Sequence, residues 1–145
     1  MDGYLLDTNI VTYWFDTGRP QHARVAQHIQ SLPQATPLRI SAITLGEIEY
    51  GLALLLEDST AWQGELRAFI AERLPMVLNI RKTTRLYYGS IRARLFEKYA
   101  PREKRRRRRR PEQLIDPVTS RELGIQENDL WLVAQALEFH LVLVD

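Results

Sequence analysis

Three carboxylates far apart in the chain, Asp7, Glu47 and Asp129, stand where side chains of that type can do chemistry together. Asp7 ends the short apolar run Tyr4-Leu5-Leu6. Glu47 falls in the first turn of an expected helix, beside a stripe of Leu45, Ile48, Leu52 and Leu55, and Asp129 opens another with Leu130, Val133, Ala134 and Leu137. A fourth acid, Asp145, follows the apolar run Leu141 to Val144. Carboxylates gathered in one crevice repel each other, so they must take up protons or be neutralised by a cation. Mg²⁺ suits a few carboxylate oxygens completed by water and phosphate oxygens, and Mn²⁺ accepts similar ligands. Such a centre activates water and stabilises charge on a phosphodiester during displacement.

The elements that would position these acids alternate. Leu38 to Ile43 reads as a second strand and Thr44 as the start of the helix carrying Glu47; Met76-Val77-Leu78 reads as a third strand and Leu141 to Val144 as the last. Between them lie helical patterns from Ile10, from Pro20, from Ser59 or Thr60, from Thr83 or Thr84 to Tyr99, and from Asp129. Each parallel crossover needs a helix to return the chain, so the expected fold is α/β, a mostly parallel central sheet with helices on both faces in three layers. In such sheets ligands sit beyond the carboxyl ends of the strands. Asp7 and Asp145 lie at such ends, and Glu47 and Asp129 in helix first turns facing the same rim.

Composition narrows the alternatives. A chain of 145 residues fits one domain, 1–145, and the absence of cysteine excludes disulfides and thiolate metal sites. The apolar run before Asp7 is too short for a leader or a membrane span, which together with the missing cysteines points to a cytoplasmic protein without membrane attachment. The sequence holds neither a glycine-rich phosphate loop nor a paired-histidine metal helix, and no serine has an evident histidine partner. His22, His28 and His140 read as surface or structural residues, and Trp14, Trp62 and Trp131 fall at core-packing spacing. Taken singly, Asp7 reads as a helix cap, Asp129 as a carboxylate favoured by a helix dipole, and Glu47 as a surface acid.

Three stretches in order resemble the signature segments of PIN-domain ribonucleases, in particular the VapC-type toxins of bacterial toxin–antitoxin pairs. They are Leu5-Leu6-Asp7-Thr8-Asn9, Ser41-Ala42-Ile43-Thr44-Leu45-Gly46-Glu47 with Gly51, and Asn128-Asp129-Leu130-Trp131-Leu132-Val133-Ala134-Gln135-Ala136. The resemblance implies a metal-dependent endoribonuclease with Asp7, Glu47 and Asp129 as catalytic, metal-binding acids and Thr8 as a supporting hydroxyl. It also implies Mg²⁺, with Mn²⁺ as a substitute, an RNA substrate, a cognate antitoxin and a homodimer. Asp145 stands where a fourth ligand is expected; members of the family usually continue beyond this strand. The rival reading, drawn from that difference, is a catalytically impaired module that grips RNA or a protein without cutting.

The net charge is +2, of which the run Lys104, Arg105, Arg106, Arg107, Arg108, Arg109, Arg110 contributes +7, so the remaining residues carry −5. The body is mildly acidic and one segment is densely basic. Apolar periodicity stops across 100–117, so an exposed basic loop is expected there, longer than the family's usual connection. Arginine pairs bidentately with phosphate, and the run is therefore a candidate for salt-sensitive, sequence-independent RNA contact.

Overall fold

The computed structural model describes residues 2–55, 57–100 and 110–145. They cluster in two compact units, one of Met1–Asn79 with His140–Asp145 and one of Ile80–Phe139.

The first unit is built on β1 (Tyr4–Leu6), α1 (Thr8–Phe15), α2 (His22–Ser31), β2 (Leu38–Ser41), α3 (Ala42–Ala53), α4 (Thr60–Arg73), β3 (Val77–Leu78) and β4 (Val142–Val144). The strands form one sheet in the order β3-β2-β1-β4, every pair parallel. Helices make the crossovers, α1 and α2 from β1 to β2 and α3 and α4 from β2 to β3, as parallel pairing demands. Leu5 and Ile40 on the two inner strands are fully buried. Leu6, Ile40, Val11, Ile48, Leu66 and Ile70 share one core, and each such side chain contributes about 2 kcal/mol on burial. Aromatic rings extend that core, Trp14 edge-on to Phe69 at 5.0 Å and Phe15 to Trp62 at 5.6 Å between centroids.

Gly3 sets where β1 begins. Its φ is +132°, and a Cβ there would stand 2.4 Å from the Pro37 carbonyl oxygen, to which the Tyr4 amide donates at 2.9 Å. Only glycine allows that approach.

Strand β2 ends at Ser41 and not at Ile43, because the Ser41 hydroxyl accepts the Ile43 amide at 3.0 Å and caps α3 two residues earlier than the periodicity suggests. Glu47 consequently lies in the second turn of α3. Strands β3 and β4 are each one residue shorter at their start than the apolar runs.

The second unit holds α5 (Thr84–Tyr99) and α6 (Glu127–Glu138), packed against each other, with a 3₁₀ turn at Pro111–Gln113 between them in sequence. At the described ends of the exposed loop expected over 100–117 the outcome is mixed: Glu112, Gln113 and Pro117 are exposed, whereas Ala100, Pro111 and Leu114 are buried and Ile115 bridges Glu122. Residues 101–109, with Lys104 to Arg109 of the basic run, lie outside the described residues; Arg110 is exposed.

Candidate metal centre

Asp7 owes its place to the register of the sheet. Leu6 pairs with Val144 across β1 and β4, so the next residues of both strands, Asp7 and Asp145, emerge side by side at their carboxyl ends. The Asp7 amide donates to the Val144 carbonyl at 3.1 Å, continuing the ladder by one step. The strand order runs outward from β1 to β2 and β3 on one side and to β4 on the other. The gap between β1 and β4 is therefore the switch point, where open parallel sheets form a crevice.

The Asp7 carboxyl does two things there. Its Oδ1 accepts the Ile10 amide at 3.1 Å, capping α1. It also bonds to the Asp145 carboxyl, and its pKa is pushed up to about 7, by burial first and then by Asp145, against the opposing pull of the Ile10 amide. A carboxyl facing a carboxyl in a half-buried crevice holds its proton near neutral pH. The cap reading and the site reading of Asp7 are both true of one side chain.

Thr8 links a second acid. Its hydroxyl donates to Glu47 Oε1 at 3.1 Å, bridging the first turn of α1 to α3 across 39 residues. The structure thus joins Asp7 with Asp145, and Thr8 with Glu47, in one unit. Asp129 belongs to the other unit, in the first turn of α6, where its Oδ2 accepts the Gln126 amide at 2.8 Å. Among the described residues, no group of three or more histidine or acidic side chains is gathered closely enough to hold a metal ion.

Beside Asp145 opens a groove of about 670 Å³ lined largely by apolar side chains of β1, α1, α2 and β2. Sequence periodicity did not announce it, because a groove is a gap between elements and not a property of any one of them.

The second unit carries a polar cluster that the sequence reading passed over. Glu127 accepts hydrogen bonds from the Tyr88 hydroxyl and from Arg92 Nη1, the latter at 2.6 Å, and Tyr88 stacks flat on Trp131. Tyr88 and Arg92 stand four residues apart on α5, which is the one signal the sequence offered. The three tryptophans pack as expected, Trp14 and Trp62 against phenylalanines and Trp131 on Tyr88. His22 is structural, its Nδ1 at 3.0 Å from the Tyr13 carbonyl.

The PIN domain family model matches residues 4–144. The chain belongs to the PIN-domain family. Among solved structures, this PIN domain resembles VapBC2 from Rickettsia felis bound to a DNA fragment from its promoter, at TM-score 0.69 and 22% identity over 98% of this chain and 85% of that one. It resembles VapBC-1 from nontypeable Haemophilus influenzae at TM-score 0.61 and 26% identity, over 98% and 84%. A toxin–antitoxin complex from Klebsiella pneumoniae matches at TM-score 0.56 and 19% identity, over 99% and 85%. No curated protein matches the chain. These likenesses agree with the α/β fold and its parallel sheet. None of the helices described is long and apolar enough to cross a membrane.

Proposed function

We propose that this PIN domain is a metal-dependent endoribonuclease, the toxin of a toxin–antitoxin pair. The observation that carries the reading is the Asp7–Asp145 carboxyl pair at the switch point of the sheet, with Asp7 raised to about 7. Two carboxyls held together in a half-buried crevice would suit a hard divalent cation, which would offset the cost of burial and of the facing carboxyl that favours a proton on Asp7. Asp7, Glu47, Asp129 and Asp145 would hold Mg²⁺ or Mn²⁺. The ion would supply an activated water and neutralise charge on the scissile phosphate.

The chain's own residues prepare that chemistry. The Ile10 amide and the Val144 carbonyl fix Asp7 at its backbone and its carboxylate, so that its second oxygen is left for Asp145 or a cation. The Thr8 hydroxyl orients Glu47. The Gln126 amide orients Asp129. Lys104 to Arg110 supply phosphate contacts that add affinity without sequence preference, and therefore salt sensitivity. The toxin–antitoxin complexes among the similar structures support an antitoxin protein as partner. A second copy of this chain and a cytoplasmic location complete the reading.

A second reading, a binding module that grips RNA or a protein without cutting, draws on the acids standing as linked pairs and not as a gathered cluster. A titration of Mg²⁺ or Mn²⁺ against a structured RNA separates the two. The nuclease reading expects cleavage that grows with cation and stops on chelation; binding with no cleavage at any cation concentration would reject it.

A further inference from the structure

Helix α5 buries one of its residues completely, Thr84, and leaves a stripe of its surface bare. At 3.6 residues per turn, Leu86, Gly89, Ser90, Ala93 and Glu97 share that stripe, and all of them are exposed. Tyr88 and Arg92, which meet Glu127 of α6, lie to one side of it. Leu86 is 64% exposed, and a solitary exposed leucine is ordinary. Two further observations set this one apart. Beside it opens a hollow of about 340 Å³ lined by Gly89, Arg92, Ala93, Phe96 and Glu97, walled on one side by the Arg92 guanidinium 5.0 Å from the centre of the Phe96 ring. A glycine inside a helix costs stability relative to alanine, yet a Cβ at Gly89 would meet nothing within 4 Å, so no described neighbour requires a glycine there.

The stripe is its own complement. When two copies of a helix pack antiparallel about a two-fold axis passing between Gly89 and Ser90, each position faces the one equally far beyond the axis. Leu86 then stands over Ala93 of the second copy, at the mouth of that copy's hollow, and Gly89 meets Ser90 where the helices come closest. Toward the ends Lys82 comes opposite Glu97, with Arg85 one turn further in, and a shallow crossing of about 20° keeps those charges in reach. Among the described residues neither Lys82 nor Glu97 enters an ion pair. Glu97 is moreover the one acid of 81–99, against six cations. The register that seats the leucine is also the register that pairs the charges.

We propose that this stripe of α5 is the face on which two copies of the chain meet, Leu86 of each entering the hollow of the other and Lys82 pairing with Glu97 across the axis. The inference rests on the second copy expected above and not on the nuclease chemistry. Analytical ultracentrifugation of the full chain tests it, and the wild type sediments as a dimer. Leu86→Glu raises the dimer dissociation constant on the order of 100-fold, because two leucines lose their apolar contacts at once. Lys82→Glu and Glu97→Lys each raise it about tenfold, and the double variant, which restores both pairs with their signs exchanged, returns it towards the wild-type value. Within one copy the two positions stand about 22 Å apart along the helix, so such a rescue reports contact between copies. Gly89→Gln raises Tm in dilute protein through helix propensity while weakening the dimer; a merely solvated face would give the higher Tm with no change in mass. The inference is overturned if Leu86→Glu dimerises as the wild type does or, should that variant not fold, if the double charge exchange is no tighter than either single variant. A wild-type chain that stays monomeric overturns the second copy and this inference together, leaving the stripe to a different protein, whereas a dimer indifferent to every one of these substitutions overturns this inference alone.

Discussion

In the first unit Asp7 is half-buried against another carboxyl, Asp145, and holds a proton up to about pH 7; in the second, Glu127 and Glu138 each lie against an arginine. Burial raises the Glu138 carboxyl, but Thr84, Thr83 and Arg81 together hold it below the usual range. The second unit has complemented its acids and gains a pinned helix pair. The first has left two carboxyls together at the crevice of the sheet, where burial first and then the facing carboxyl disfavour the charged form of Asp7. Glu127 and Glu138 are met by arginines and brace the helix pair, whereas Asp7 is met by a second carboxyl.

The sharpest way to break that contrast is to neutralise the acids without disturbing their caps. Asparagine caps a helix as well as aspartate and keeps an oxygen for the Ile10 or Gln126 amide. Asp7→Asn and Asp129→Asn should each lower RNA cleavage on the order of 1000-fold, measured under saturating RNA and Mg²⁺, with the circular-dichroism spectrum unchanged. Cleavage near the wild-type rate in either variant would remove that acid from the chemistry.

A smaller effect sharpens the same contrast in stability. The folded pKa of Asp7 is about 7, above its ordinary 3.8, so the folded chain binds this proton more tightly than the unfolded one. The stabilisation is therefore complete below about pH 4 and is lost as pH rises through about 7. Without divalent cation, Asp7→Asn should flatten that part of the pH profile and raise Tm near pH 8 by roughly 4 °C, the shift that about 1 kcal/mol gives a domain of this size. A lower Tm for the variant at that pH would mean that the carboxyl pair is not the liability described.

The elements were legible where periodicity is local: the apolar stripe of α3 and the helical spacing of α4 and α6 follow directly from residues three and four apart. The β2–α3 boundary was not, because Ser41 reads as a strand residue until its hydroxyl is seen to accept the Ile43 amide. Asp7 and Asp145 were recognisable as strand ends, but their pairing depends on a register, Leu6 with Val144, that no single strand specifies. The Arg92–Glu127 clamp was hidden for a similar reason. Helix α5 carries Arg85, Arg92 and Arg94, and only its rotation against α6 decides which of them meets Glu127. The buried ends of the basic segment escaped because Pro111 and Leu114 are isolated apolar residues beside a dense charge run.

The central claim, that the Asp7–Asp145 pair awaits a divalent cation, is tested most directly by following the Asp7 carboxyl carbon by NMR as pH is varied, with and without Mg²⁺. The account predicts titration near pH 7 in metal-free protein and a fall of that midpoint below the ordinary carboxylate range once Mg²⁺ saturates the site. A midpoint that stays near 7 at every Mg²⁺ concentration would contradict it.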